Sequence, residues 1–276
     1  MLIAQITDLH VRPHGLPAYR VSETNKMVAR AVAHLLALDP RPDLVLISGD
    51  LTDCGLAEEY EELRGLLARL PMPVYVIPGN HDRRDTLREV LPASWMPGVT
   101  GGFIQYTVED HPVRLIALDT LVAGASHGAL CTERLGFLER ALAGGDDRPT
   151  LVFMHHPPFE CGLVHMDEIR LLDGEAQFRR LIGAQTAVER ILCGHHHRPI
   201  VTRYAGTIAQ IAPSITHQVA FDLDPAHAGA LVFEPPAYLL HRYTPKSGIV
   251  SHMVYVESFD GPYPFVLDAA YPGQHR

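Results

Sequence analysis

Five short runs of aspartate, asparagine and histidine residues each follow a short apolar stretch of the chain. They are Asp8-Leu9-His10, Gly49-Asp50, Gly79-Asn80-His81-Asp82, His155-His156 and Gly194-His195-His196-His197. The apolar stretches have the length and composition of β-strands. Packing alone does not explain why a carboxylate, an amide or an imidazole stands at the end of every strand. The pattern is explained if the strands deliver metal ligands to one place. The sequence therefore predicts a site for two metal ions.

The spacing within the first and the last run pairs residues that are two positions apart. Asp8 precedes His10 by two positions, and His195 precedes His197 by two. In an extended segment, residues i and i+2 point the same way, so each pair can reach one ion. The same alternation turns His196 away from the ion, and we expect it not to bind.

The middle runs add a bridging carboxylate, an amide and an imidazole. Asp50 follows a strand and a glycine, and its two carboxylate oxygens can bridge two cations. Asn80 offers a neutral amide oxygen. Only one of the adjacent His155 and His156 should bind, and the strand-end geometry does not say which.

The charge of such a site favours an anionic substrate. Two divalent ions bring about +4 and the two carboxylates about -2, so the site keeps about +2 before a bridging hydroxide is counted. Two ions about 3.5–4 Å apart can hold both the attacking and the leaving oxygen of an in-line displacement at phosphorus. Mixed oxygen and imidazole ligands favour iron, manganese, zinc or cobalt over magnesium or calcium.

Composition and charge exclude several other classes of protein. The chain has 276 residues, 47% of them hydrophobic, and a formal net charge of -9. Long nucleic acid favours a basic surface, so we expect no such partner. The apolar runs are too short to span a bilayer, and the first strand begins at the N-terminus, so we expect neither a membrane partner nor a secretory leader. Four cysteines without paired spacing are expected to be free thiols in a cytoplasmic protein.

Strands and helices alternate over the first 200 residues, which is typical of a layered α/β fold. We predict strands over 2–6, 44–47, 74–77, 115–118, 151–154 and 190–193. Apolar residues at helical spacing predict helices between them, with Ser22, Thr132 and Asp173 as candidate N-caps. Lys246-Ser247-Gly248 predicts the turn of a C-terminal hairpin. We therefore expect a catalytic core over 1–222, followed over 223–276 by a cap or oligomer-forming hairpin and a tail.

The order Asp-x-His, Gly-Asp, Gly-Asn-His-Asp, His, Gly-His-x-His resembles that of the calcineurin-like metallophosphoesterases. All five blocks are present in that order between Asp8 and His197. The resemblance implies an α/β fold with a sandwich of two mixed sheets flanked by helices, and a small C-terminal cap or hairpin.

The same resemblance implies roles for individual residues. One metal would be held by Asp8, His10, Asp50 and His197. The second would be held by Asp50, Asn80, His156 and His195. His81 would bind the phosphate or protonate the leaving group. Independently of the resemblance, Asp82 stands next to His81 in the chain and could orient the His81 ring.

More closely, the chain resembles bacterial class III cyclic nucleotide phosphodiesterases and the related glycerophosphodiesterases. The strand that begins at Met1, the Asn-His-Asp version of the third block, the His-His-Pro-Pro run and Thr216-His217-Gln218 carry this likeness. It implies hydrolysis of small phosphodiesters, either 3′,5′-cyclic nucleotides or glycerophosphodiesters, by attack of a metal-bound hydroxide. Ser126, His127 and His217, together with Asn80 and His81, are candidate substrate contacts.

Other functions fit the same sequence. A phosphomonoesterase or nucleotide hydrolase would need extra cationic contacts, which Arg83, Arg84 and Arg170 could supply. A nuclease is disfavoured by the acidic charge. A non-catalytic scaffold would be free to lose ligands, whereas every ligand position here is filled. We also expect a homo-oligomer, a dimer or a larger assembly, formed through the C-terminal hairpin.

Overall fold

The computed structural model describes residues 1–263 of the chain. The strands are β1 (Leu2–Ile6), β2 (Leu44–Ile47), β3 (Val74–Val76), β4 (Tyr106–Val108), β5 (Arg114–Leu118), β6 (Gly128–Ala129), β7 (Thr150–Met154), β8 (Leu171–Asp173), β9 (Val188–Cys193), β10 (Ile200–Tyr204), β11 (Thr207–Ile211), β12 (Gln218–Val219), β13 (Leu231–Val232), β14 (Ala237–Thr244) and β15 (Gly248–Tyr255). The α-helices are α1 (Thr24–Ala37), α2 (Ala57–Leu67), α3 (Arg84–Val90), α4 (Thr132–Ala143), α5 (Val164–Asp167) and α6 (Glu175–Gly183). Short 3₁₀ helices occupy Pro13–Gly15 and Ala93–Trp95. None of the helices within these 263 residues combines the length and the apolar character that crossing a bilayer requires.

Two mixed sheets form the centre of the molecule. The first has the strand order β15-β14-β1-β2-β3, and the second has the order β10-β11-β9-β7-β5-β4. The inner strands of both sheets are parallel, whereas β14, β15, β10 and β4 pair in the antiparallel sense. The expected pair of mixed sheets flanked by helices is therefore confirmed.

Alternation along the second sheet separates two apolar cores. Leu115 and Ala117 of β5 face the core between the sheets, which also holds side chains of β1, β2, α1 and α2. Their neighbours Ile116 and Leu118 face the opposite way, onto α4 and α6. Successive strand residues point to opposite faces, so a continuous apolar run is what a strand buried on both faces requires. The layers therefore run helix, sheet, sheet, helix.

The predicted strands are present with small changes at their ends, but the predicted helix caps are wrong. Helix α1 begins at Thr24, and Ser22 makes no capping hydrogen bond to it. Thr132 is already the first helical residue of α4, whose N-terminus has no side-chain cap. Helix α6 follows Gly174, which has a φ of 82°, so Asp173 is not the cap. Tertiary packing rather than capping therefore fixes where these helices begin.

The C-terminal hairpin belongs to the first sheet. Strands β14 and β15 pair with each other around the predicted turn. Strand β14 also pairs with β1, with Ile3 opposite His241. The hairpin thus extends the sheet of the core instead of covering the core as a separate layer. The division of the chain after residue 222 stays a prediction, and its last part, residues 264–276, lies outside the described residues.

A buried polar chain connects the two sheets close to the predicted site. His241 of β14 donates from Nε2 to Gln5 Oε1 at 3.1 Å and accepts at Nδ1 from Ser251 Oγ at 2.8 Å. Gln5 in turn donates to Ser48 Oγ at 2.9 Å and to the Cys193 carbonyl at 3.0 Å. Burial, followed by the positive charge of Arg190, lowers the pKa of His241 to about 3. The imidazole is therefore neutral in the folded protein.

This neutral histidine predicts a loss of stability in acid. The folded-state pKa of about 3 is below the ordinary value of 6.5, so protons bind the unfolded chain first as the pH falls below 6.5. Between these values, His241 alone should lower the free energy of unfolding by about 1.4 kcal/mol per pH unit. Urea denaturation of wild type and His241→Gln between pH 7 and 5 measures the difference in slope. The exposed neighbour His252→Gln is the control, and equal slopes for wild type and His241→Gln would contradict the assignment.

Candidate metal centre

The predicted ligands meet where the carboxyl ends of the parallel strands of both sheets come together. Strands β7 and β9 end directly before one of the five runs, and β1, β2 and β3 end one or two residues before theirs. Carboxyl ends of parallel strands lie at one edge of a sheet, and ligands commonly bind beyond that edge. The structure thereby brings together all of the residues that the sequence singled out as metal ligands: Asp8, His10, Asp50, Asn80, His156, His195 and His197.

One group of donor atoms contains two carboxylates and two imidazoles. The Nε2 atoms of His10 and His197 lie 3.2 Å apart. His197 Nε2 is 3.3 Å from Asp8 Oδ1, and His10 Nε2 is 3.7 Å from Asp50 Oδ2. His197 donates from Nδ1 to the His217 carbonyl at 2.8 Å, so its Nε2 is the ring nitrogen that faces the carboxylates. Such a set of buried oxygen and nitrogen donors fits a divalent metal ion.

The second group shares Asp50 and contains three histidines. The ligand atoms of His155, His156 and His195 lie within 4.8 Å of one another. His195 donates from Nε2 to the Ile169 carbonyl at 3.0 Å, so its Nδ1 is the atom available for a cation. Burial lowers the pKa of His195 well below its ordinary value, and the neutral ring keeps that lone pair.

The adjacent histidines have different partners. His155 donates from Nδ1 to the Ser48 carbonyl at 2.8 Å, and its Nε2 is 3.3 Å from Asp50 Oδ2 and 3.2 Å from Asn80 Oδ1. His156 bonds through Nδ1 to Thr120 Oγ1 at 2.7 Å and through Nε2 to the Ser126 carbonyl at 3.2 Å. The sequence pattern did not indicate that His155 contacts both the carboxylate and the amide.

The backbone at the candidate ligands differs from the expected one. Positive φ angles occur at Asp8 (54°), His10 (46°), Asp50 (47°), His195 (72°) and His197 (52°). The expectation that residues i and i+2 share a side because the segment is extended is therefore wrong: β1 and β9 have already ended, and left-handed turns orient these side chains. Left-handed non-glycine residues cost of order 1 kcal/mol each and persist where the surrounding fold enforces them. His196 does turn away, with Nδ1 3.5 Å from Cys161 Sγ.

Two glycines of the motif allow close approach of the loops. A Cβ atom on Gly79 would lie 2.1 Å from Asp50 Oδ1, and one on Gly194 would lie 2.1 Å from Thr7 Oγ1 and 2.9 Å from Asp8 Oδ2. Any side chain at these two positions would displace the carboxylates. The glycines are thus required by the packing of the ligand loops.

The two carboxylates are ionised although they are buried. Burial raises the pKa of Asp50, but the positive charge of His155, followed by that of His81, outweighs it and lowers the pKa well below the ordinary value. Burial also raises the pKa of Asp8, and the positive charge of His197 reverses that effect. Both side chains therefore carry the negative charge that cation binding needs.

His81 is held with one ring nitrogen free to face a ligand. Its backbone N–H donates to Asp50 Oδ1 at 2.9 Å, and its Nδ1 donates to the Asp53 carbonyl at 2.7 Å. The side chain is 26% exposed. Burial lowers its pKa, but the negative charge of Asp50 and the bond to Asp53 outweigh this and raise the pKa above the ordinary value. Sequence reasoning missed Asp53, which approaches His10 Nδ1 at 3.3 Å.

Asp82 has a different role from the one that we expected. The His81 ring is oriented by its hydrogen bond to the Asp53 carbonyl and not by Asp82. The Asp82 carboxylate accepts from the backbone N–H groups of Leu51, Thr52 and Gly79 at 2.9–3.2 Å and from Tyr60 Oη at 2.9 Å. It therefore ties the loop after β2 to the loop after β3, the two loops that carry Asp50 and Asn80.

Most of the expected substrate contacts border the candidate ligands. A cavity of about 360 Å³ is lined by Asn80, His81, Ser126 and His217, together with candidate ligands. The His217 ring lies 4.9 Å from that of His197. His127 differs from the other expected contacts: within residues 1–263 it lines neither this cavity nor the larger cavity beside it.

Comparison with known proteins agrees with this geometry. The family model described as calcineurin-like phosphoesterase matches residues 1–199, and the chain belongs to that family. It is 38% identical to a probable glycerophosphodiester phosphodiesterase of Arcobacter nitrofigilis, over 96% of this chain and 97% of the relative. It is 35% identical to a probable cyclic nucleotide phosphodiesterase of Rhodopseudomonas palustris, over 95% and 94%. A dimetal phosphatase from Danio rerio has the same fold, with a TM-score of 0.64 at 16% identity over 93% of this chain and 99% of that one.

The contacts of Asp82 predict a large effect of a small substitution. In Asp82→Asn, one acceptor oxygen becomes an NH₂ group that faces N–H and O–H donors. We expect the free energy of unfolding to fall by about 2–3 kcal/mol, because buried donors lose their acceptor. Urea denaturation measures this, with Asp85→Asn on the exposed surface of α3 as the control. Equal midpoints for the two variants would contradict the bridging role of Asp82.

Proposed function

We propose that this protein is a phosphodiesterase that uses two metal ions to hydrolyse small phosphodiesters. The observation that carries the proposal is the buried cluster of aspartate and histidine donors that shares Asp50 beside a cavity. The family of the chain supports it, as do relatives that are named for glycerophosphodiesters and for cyclic nucleotides. A scaffold without activity would not need five left-handed ligand positions.

The donor groups suggest how the ions would be divided. One ion would be held by Asp8, His10, Asp50 and His197, and the other by Asp50, Asn80, His195 and His156. His155 is the alternative to His156, because its Nε2 lies 3.3 Å from Asp50 Oδ2 and 3.2 Å from Asn80 Oδ1. Iron, manganese, zinc and cobalt all suit this mixture of oxygen and nitrogen donors. When bound, the ions supply positive charge for the phosphate and lower the pKa of water toward neutrality.

The residues of the chain then orient the substrate and supply a proton. His81 Nε2 faces the cavity and is the candidate donor to a phosphoryl oxygen or to the leaving alkoxide. Asn80 and His217 line the same cavity and can bond the remaining oxygens. Ser126 contributes from the opposite loop.

The arginines near the site favour a diester over a monoester. A monoester carries a second negative charge and would need additional cationic contacts. Arg84 is already bound to Asp119 through two contacts of 2.6 and 2.7 Å. Arg170 is paired with Glu160 at 2.9 Å. Arg83 alone of the three has no ion pair among residues 1–263, so little free charge remains for a dianion.

We also propose that the protein acts in the cytoplasm. Its four cysteines, Cys54, Cys131, Cys161 and Cys193, all lie within the described residues and are unpaired. Free thiols are typical of reducing compartments.

The C-terminal hairpin is the proposed oligomer contact. Strand β15 is the outer strand of its sheet, and Val250, Met253 and Tyr255 on it are 38%, 41% and 43% exposed. An open edge strand with apolar side chains can pair with a second chain.

Light scattering should therefore give a dimer or larger for wild type and a monomer for Met253→Lys. Val201→Lys, on the outer strand β10 of the other sheet, is the matched control. Dissociation by the control alone would contradict this contact.

The function itself predicts a metal-dependent preference for diesters. With added Mn²⁺, we expect hydrolysis of bis(4-nitrophenyl) phosphate at least about tenfold faster than that of 4-nitrophenyl phosphate, and loss of activity with a chelator.

Asp50→Asn should lose both ions and the activity, since its carboxylate is shared. His81→Ala should keep its metal and lose about 10²–10³-fold in kcat.

Elemental analysis of the purified variants measures the metal content. Loss of metal from His81→Ala would place His81 among the ligands. Failure of the metal-loaded wild type to hydrolyse any diester would contradict the proposed function.

A further inference from the structure

Two cavities of different character meet at the residues beside the candidate metal centre. The smaller, which we call the apolar cavity, has a volume of about 360 Å³ and contains the candidate ligands. The larger, which we call the polar cavity, has a volume of about 790 Å³. Asn80, His81 and Ser126 line both. A phosphate bound by these three residues would therefore have one cavity on each side.

Away from the ligands, the apolar cavity is lined mainly by hydrophobic side chains. Met166, Ile169, Val219 and Leu231 form this wall. Among the residues of the described chain that line the cavity, Asp50 is the only aspartate or glutamate, and there is no lysine or arginine. Such a wall stabilises a bound apolar or aromatic group by removing its surface from water, an effect that a polar alcohol does not gain.

This apolar wall is attached to the metal centre and is not a loose loop. The Ile169 carbonyl accepts the hydrogen bond from His195. The short strands β12 and β13 pair Val219 with Leu231. A Cβ atom on Gly229 would lie 2.4 Å from the His165 ring, so the two segments that form the wall are in close contact.

The polar cavity offers charge and hydrogen bonds. Its lining includes Asp53, Asp85 and Thr86 as well as Arg83 and Arg84. The guanidinium group of Arg84 is occupied by Asp119. Arg83 lines the cavity without an ion pair inside residues 1–263. It is therefore the cation available to a hydroxylated or anionic group in this cavity.

A phosphodiester has two ester substituents, and the two cavities provide a separate place for each. We propose that the substrate is an acyclic phosphodiester whose apolar or aromatic alcohol lies in the apolar cavity and whose polar alcohol lies in the polar cavity. Leu231 and Arg83 are the residues that discriminate between the two alcohols. A cyclic 3′,5′-diester joins both ester oxygens to one sugar and cannot extend to both sides. This inference rests on the proposed function and narrows its substrate class.

Substrates that differ in one substituent test this assignment. The three probes are methyl 4-nitrophenyl phosphate, bis(glyceryl) phosphate and glyceryl 4-nitrophenyl phosphate, each with Mn²⁺-loaded enzyme. Leu231→Gln should raise KM about tenfold for the two aryl diesters and leave that of bis(glyceryl) phosphate unchanged. Arg83→Gln should raise KM about tenfold for the two glyceryl diesters and leave that of methyl 4-nitrophenyl phosphate unchanged. Arg83→Lys should restore the wild-type KM.

Control variants separate these effects from general destabilisation. Leu223→Gln lies in the loop between β12 and β13, and Arg69→Gln lies just beyond α2; neither residue lines the two cavities. Both should keep wild-type KM values. If Leu231→Gln and Arg83→Gln each changed KM equally for all three diesters, or left all three KM values unchanged, the assignment of the cavities would be overturned. The proposed function would stay intact. A wild type that hydrolyses none of the three would instead contradict the proposed function.

Discussion

The carboxylate of Asp50 is the point on which the site depends. Its Oδ1 accepts the backbone N–H of His81, and its Oδ2 lies 3.7 Å from His10 Nε2 and 3.3 Å from His155 Nε2. It therefore belongs to both groups of donors. A buried negative charge of this kind is costly unless positive charge compensates it. Neighbouring imidazoles supply part of that compensation, and two cations would supply the rest.

The remainder of the fold holds this carboxylate against its neighbours. Gly79 lets the loop after β3 approach it, and Asp82 bonds the loops after β2 and β3 to each other. Gln5 connects the first sheet to the second one near the site. These contacts enforce left-handed conformations that the ligand loops would not adopt alone. The two apolar cores supply the stability that offsets this strain.

Much of this arrangement could be predicted because the signals are local. Apolar runs marked the inner strands, and the residue types after them marked the ligands. The turns could not be predicted, because five non-glycine residues become left-handed only through tertiary contacts. For the same reason the role of Asp82 and the contacts of His155 with Asp50 and Asn80 were not evident from the sequence: each depends on partners from other segments of the chain. The helix caps failed because packing positions the helix ends.

The most direct test is a crystal structure with manganese and an anomalous difference map recorded at a wavelength that identifies the metal. We expect two manganese peaks, each bonded at about 2.0–2.2 Å to an oxygen of the Asp50 carboxylate, as is usual for nitrogen and oxygen ligands of such ions. A single peak, or two peaks that do not share Asp50, would contradict it.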